Sequence, residues 1–210
     1  MTRIALVALI VFLGVGCATP GSSPTNYYLL ELDETAIEGM RGSGSEAGSG
    51  SEPAGSVIVA EAEIAPIVDR RQVVQRREGP VVRYLSSHLW AVSPPRALGE
   101  LVRDGVDRLG FFEEVTAGRE ARGSYEVKTR IDSLTHHCCE SGITAKVAGE
   151  FTLVEAESGE VLLRHEFSRS RDLSDEEVRT FVEGVSEVLS EELASFLADV
   201  PTAASRDAAH

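Results

Sequence analysis

The chain has 210 residues, with 34 acidic against 20 basic side chains and a formal charge of −14. That length suits one domain with its own core plus loosely held ends, and it is short for two independent domains. The acidic balance argues against a nucleic-acid binder, because such binding rests on neutralising phosphates with Lys and Arg; its ordinary consequence is solubility.

Met1 to Arg3 carry a small positive charge, Ile4 to Leu13 are apolar, and Leu13-Gly14-Val15-Gly16-Cys17 ends the stretch in small residues before a cysteine. This is the three-part pattern of a secretory signal, and its end resembles a bacterial lipoprotein processing site. Leu13 stands four residues before the cysteine, and Gly14 holds the place three before it, where Leu is usual. The apolar run is too short to span a bilayer, which takes about 20 residues. The expectation is a signal peptide over 1–16 and a lipidated Cys17 carrying diacylglycerol and an N-acyl chain. At about 0.8 kcal/mol per buried methylene, such an anchor holds far more firmly than one myristoyl group. Ala18 is not the aspartate that retains lipoproteins in the inner membrane of enteric bacteria, so the expected location is the outer membrane, facing the periplasm. Residues 17–26, small, polar and helix-breaking, read as a flexible tether.

Tyr27-Tyr28-Leu29-Leu30-Glu31-Leu32 reads as a first strand. Residues 39–56 are rich in Gly, Ser, Glu and Ala without periodicity, a flexible insertion. Their Gly42-Ser43-Gly44 lacks the Gly-Lys-Ser/Thr ending of a phosphate loop. Val57 to Ala60 resumes a strand toward Ile64-Ala65-Pro66. Val73-Val74-Gln75 and Val81 to Leu85 read as a hairpin around Gly79-Pro80. After Pro94-Pro95, Leu98, Leu101, Val102, Val106 and Leu109 recur at helical spacing until Gly110, which predicts a helix over about 95–109.

Tyr125 to Leu134 alternates apolar and charged residues, and Ile143 to Glu155 and Val161 to Phe167 flank the turn Glu157-Ser158-Gly159-Glu160, giving a three-stranded antiparallel meander. Ser174-Asp175-Glu176-Glu177 has the capping-box pattern and predicts a helix over about 174–198, with an apolar stripe from Val178 to Leu197. Pro201 is expected to end it, leaving 201–210 as a disordered tail. The fold class is therefore α+β: a single domain over 27–200, with a mostly antiparallel sheet packed by two amphipathic helices.

Besides Cys17 the chain holds only Cys138 and Cys139. Adjacent α-carbons lie about 3.8 Å apart, below the usual disulfide range, so a bridge within the pair is strained and one to a partner chain is easier. With His136 and His137 the pair invites a metal reading, yet in an extended chain the four side chains alternate between faces and cannot close a tetrahedral site. A redox-linked bridge and two thiols in a loop both stay open, and no metal is assigned. His88, His136, His137, His165 and His210 form no catalytic motif, and neither a Gly-x-Ser-x-Gly elbow nor a His-Glu-x-x-His pair occurs. No catalytic residue and no cofactor beyond the lipid on Cys17 is assigned, and an enzyme is not expected.

Three segments combine into a resemblance: Tyr27-Tyr28-Leu29-Leu30 soon after the lipoprotein cysteine, Asp69-Arg70-Arg71-Gln72-Val73-Val74-Gln75-Arg76, and His88-Leu89-Trp90-Ala91 leading into a helix. In order and spacing they are similar to the ABC-type transport auxiliary lipoproteins, of which the paraquat-inducible protein C group is the best-known branch. Arg71 stands where the family has Pro, and Val92-Ser93-Pro94 replaces an acidic residue and Pro after Trp-Ala. The resemblance implies an accessory subunit docked on a periplasmic MCE-domain protein with its ABC permease and ATPase, moving lipids between the two membranes without catalysis, with a homo-oligomeric ring as one form. It also marks Asp69, Arg70, Arg76 and Trp90 as partner-binding candidates. Equally, the three charged residues can form a structural ion-pair cluster, and Trp90 can belong to the core. Two other readings are a lipoprotein supporting an outer-membrane β-barrel and a free-standing lipid carrier with a deep apolar pocket.

Overall fold

The computed structural model describes residues 24–33, 35–36, 54–77, 79–118, 121–138 and 142–207. They form a nine-stranded sheet and two long helices in one α+β domain. In chain order these are β1 (Asn26–Tyr28), β2 (Ala54–Val59), β3 (Glu63–Ile64), β4 (Gln72–Arg76), β5 (Val82–Trp90), α1 (Pro94–Leu109), β6 (Phe112–Ala117), β7 (Tyr125–His137), β8 (Thr144–Glu155), β9 (Val161–Asp172) and α2 (Val178–Asp207).

The expected hairpin and meander are both present, as β4–β5 and β7–β8–β9, and these antiparallel ladders are the long ones. β7 is the spine. One of its edges carries β8 along its whole length, and the other is shared in turn by β2, β3 and β4, each in short parallel register. The β7–β8 ladder shifts register between Ile131 and Ser133. There Gly149 lies so close to β7 that a Cβ would stand 2.2 Å from the Arg130 carbonyl oxygen, a place only glycine can fill.

Side chains that alternate inward from β7 and β8, among them Val127, Ile131, Leu134, Val147, Phe151 and Leu153, form one core with both helices. α1 begins with Pro94 and Pro95 in its first turn and stops at Gly110, whose φ of 68° closes the helix in the left-handed form. Gly105 lets α1 approach α2 at Leu193 and Leu197. A helix layer thus covers one sheet face and leaves the other to charged residues such as Lys128, Arg130 and Arg164.

Several expectations are corrected. The first strand ends at Tyr28; beyond it the Glu31 and Asp33 amides donate to Ser186 and Ser190 of α2, so the chain runs along the helix layer instead. Most of the 39–56 insertion lies outside the described residues, but Ala54 to Ser56 are strand, because β6 supplies a parallel partner that overrides their weak propensity. β6 itself was not foreseen. Ser174 does not cap α2: Asp175 accepts from the Glu177 amide at 2.9 Å, an Asx turn, and the Phe181 amide donates to the Glu177 carbonyl, so the helix starts at Val178. Pro201 does not end α2 either. Val200 and Ala204 are buried on either side of it, and their packing carries the helix to Asp207 through residues expected to be disordered.

Candidate functional site

Within the segments that resemble the family, the turn between β3 and β4 is an exposed feature held by its own backbone hydrogen bonds. Ala65 is tied to β7 through its amide and the Ile131 carbonyl, the Val68 and Asp69 amides fold back on the Ala65 carbonyl, and Val68 is buried beneath. This pins a short loop that presents Asp69, Arg70 and Arg71 to solvent. The Arg70 guanidinium lies 5.0 Å from the centre of the Tyr84 ring, a cation–π contact on an exposed tyrosine of β5.

Arg71, which stands where the family has Pro, is a brace. It donates to the Trp90 carbonyl at 3.1 Å and to the Ala91 carbonyl at 3.1 Å, while the Trp90 amide donates back to the Arg71 carbonyl. These bonds fix the junction between β5 and α1. The sequence alone marks Arg71 only as a departure from the family pattern, because its reach to two carbonyls 19 and 20 residues away leaves no local signature.

The four proposed partner residues do not form one cluster. Asp69 and Arg70 share the turn, but Arg76 ends β4 roughly 20 Å away by strand rise and faces a different pocket. Trp90 is 3% exposed and packs on Phe181 at 6.4 Å between ring centres, so it belongs to the core and is withdrawn as a contact residue. No ion pair joins Asp69 to these arginines among the described residues.

On the other side of the junction, Tyr28 of β1 shares a hydrogen bond of 2.8 Å with His88 Nδ1 and stacks on its ring. Burial raises the Tyr28 pKa, Arg179 opposes that and Glu177 adds to it. The remaining histidines are dispersed. His165 meets the buried Glu192 carboxylate at 2.8 Å, which Arg169 also holds; His137 bonds Thr135; His136 is enclosed against Phe181; His210 lies outside the described residues. No three His, Cys, Asp or Glu groups converge on a possible metal among the described residues. Cys138 is buried at the end of β7, its amide bonded to the Arg76 carbonyl. Cys17 and Cys139 lie outside the described residues.

No curated protein matches the chain in sequence. A solved structure of a Xanthomonas campestris protein assigned to the DUF330 family model is similar in fold, with a TM-score of 0.66 at 14% identity over 77% of this chain and 93% of that one. A second, of an uncharacterized protein, gives a TM-score of 0.63 at 13% identity over 85% and 99%. The PelC dodecamer of Paraburkholderia phytofirmans is a more distant likeness, with a TM-score of 0.44 at 16% identity over 70% and 91%. These likenesses concern the fold. The family model for the ABC-type transport auxiliary lipoprotein component matches residues 41–198, which take in the β3–β4 turn, the Arg71 brace, all of α1 and most of α2, and the chain belongs to that family.

Proposed function

We propose that the protein is a periplasmic accessory lipoprotein of an MCE-type, ABC-driven lipid transport system, anchored in the outer membrane through Cys17 and acting by docking and positioning. The family match over residues 41–198 carries this reading. The family is one of transport auxiliary components, and the braced exposed loop between β3 and β4 suits a docking contact. The docking contact is assigned to the turn that presents Asp69 and Arg70 with Tyr84 beside it, since Arg and Tyr are favoured in interfaces.

Anchor and domain are close in sequence. Eight residues lie between Cys17 and the start of β1 at Asn26, and at about 3.3–3.6 Å per residue even a fully extended connection holds the domain within roughly 30 Å of the lipid. The anchor therefore sets where the domain can work, next to the membrane at which a conduit would end. A homo-oligomeric ring is part of the same reading.

The test is to replace Arg70 by Glu in the full lipoprotein and to measure how much MCE-domain protein is recovered with it from membranes. Arg70 is exposed, so the melting temperature should stay within about 2 °C of the parent, while recovery falls several-fold. Undiminished recovery would move the contact away from this turn.

A further inference from the structure

The ends of β4, β7, β8 and β9 meet on the sheet face that the helices leave open, and together they wall a pocket of about 480 Å³. Its side chains include Arg76, Arg77, His137, Lys146, Thr144 and Ser170. Register explains the grouping: Arg76 lies opposite His137, His137 opposite Thr144, and Lys146 opposite Ser170, so strand alternation turns them to one face. Gly79 at φ 65° and Gly142 at φ 107° make the turns that bring bare main chain to the rim.

The charge here runs against that of the whole molecule. In a chain of net charge −14, this wall holds three permanent cations and no carboxylate among the described residues. The chain has two lysines: Lys128 is paired with Glu126 at 3.2 Å, whereas Lys146 has no carboxylate within ion-pair reach among the described residues. Among the described residues the Arg77 guanidinium meets the side-chain oxygen of Gln75, at 3.5 Å, and no carboxylate. Asp172, opposite Thr144, is not part of the wall. Glu78 and Glu140, in the flanking loops by sequence, lie outside the described residues. His137 is oriented by its bond to Thr135, and burial, followed by the charges of Lys146 and Arg76, lowers its pKa. The pocket is electropositive even to its own histidine.

We propose that this pocket binds a phosphate-bearing anion, with Arg76, Arg77 and Lys146 neutralising its charge and the Thr144 and Ser170 hydroxyls donating to its remaining oxygens. Guanidinium groups suit phosphate because they donate two parallel bonds, and lysine adds a mobile point charge. The pocket is roomier than one phosphate group, which leaves space for whatever the phosphate is esterified to. Free inorganic phosphate and a phospholipid headgroup share this chemistry. The binding does not depend on which machine the protein serves, so its failure would leave the docking proposal standing.

The full chain, held in an uncharged sugar detergent, is titrated calorimetrically with inorganic phosphate and, separately, with monomeric dihexanoylphosphatidylglycerol. Saturable binding of at least one probe is expected, weakened about tenfold or more by Lys146→Glu or Arg77→Glu, each checked for an unchanged melting curve. Lys146→Gln serves as the milder variant, and Arg130→Glu, on the same sheet face but outside the pocket, should leave binding intact. Binding of phosphate as well as lipid identifies the phosphate alone as sufficient; binding of the lipid only identifies the headgroup as the source. Absence of saturable binding by either probe, or equal weakening by Arg130→Glu, would overturn the proposal.

Discussion

His136 shows how much of a residue's role depends on what folds over it. Its ring is fully enclosed and stacks on Phe181 at 5.1 Å, with neither nitrogen bonded to a protein partner among the described residues. Burial lowers its pKa, and the nearby charges of Glu176 and Asp175 oppose that only in part. The unfolded chain therefore takes up a proton near pH 6.5 that the folded protein resists. The unfolded state binds more protons in that window, so stability is full above it and falls as pH drops toward the lowered folded value. His136→Phe should flatten this loss in urea unfolding followed from pH 7.5 to 5, with a residual slope from His137, which is shifted the same way. An unchanged slope would mean that His136 titrates freely. Alternation already sets His136 and His137 on opposite faces of an extended chain, but only the fold shows which face is covered: in β7 His136 enters the core and His137 turns toward the basic pocket. Trp90 was open between core and contact for the same reason, since hydrophobicity alone does not say which face a strand's last residue takes.

At the scale of elements, local pattern predicted what local pattern controls. The stripe from Leu98 to Leu109 with prolines before and Gly110 after specified α1 to within a residue, and the alternation of Tyr125 to Leu134 located β7. What could not be read was pairing across long separations: β6 forms because β2 lies alongside it, and β4 and β2 join β7 in parallel, contacts with no signature in spacing. The end of α2 belongs to the same class. A proline inside a helix removes a hydrogen bond and crowds the preceding turn, at a cost of about 3 kcal/mol. The buried Val200 and Ala204, with the Ser205 hydroxyl bonded to the Pro201 carbonyl, hold the helix in spite of it. Pro201→Ala should therefore stabilise the protein by about 1–3 kcal/mol, read as a higher midpoint in chemical unfolding. Equal or lower stability would indicate that the last turns contribute nothing to the folded state.

Across the whole molecule, the α+β plan and the family were legible because three separated segments kept their order and spacing, while the grouping of candidate residues was not. Asp69 and Arg70 share one turn, Arg76 lines a pocket at the far end of β4, and Trp90 is interior, so the proposed docking contact and the proposed anion pocket fall to different ends of the same sheet. The β3–β4 turn is braced by Arg71 and by the Ala65 link to β7, which suits a rigid contact. The most direct test of the docking account is mild crosslinking of the native lipoprotein in intact membranes, followed by its purification and identification of what is attached. The account predicts an MCE-domain protein as the principal partner, lost when Cys17 is replaced by Ala and the protein leaves the membrane. Efficient recovery of an outer-membrane β-barrel, with no MCE-domain protein, would contradict it.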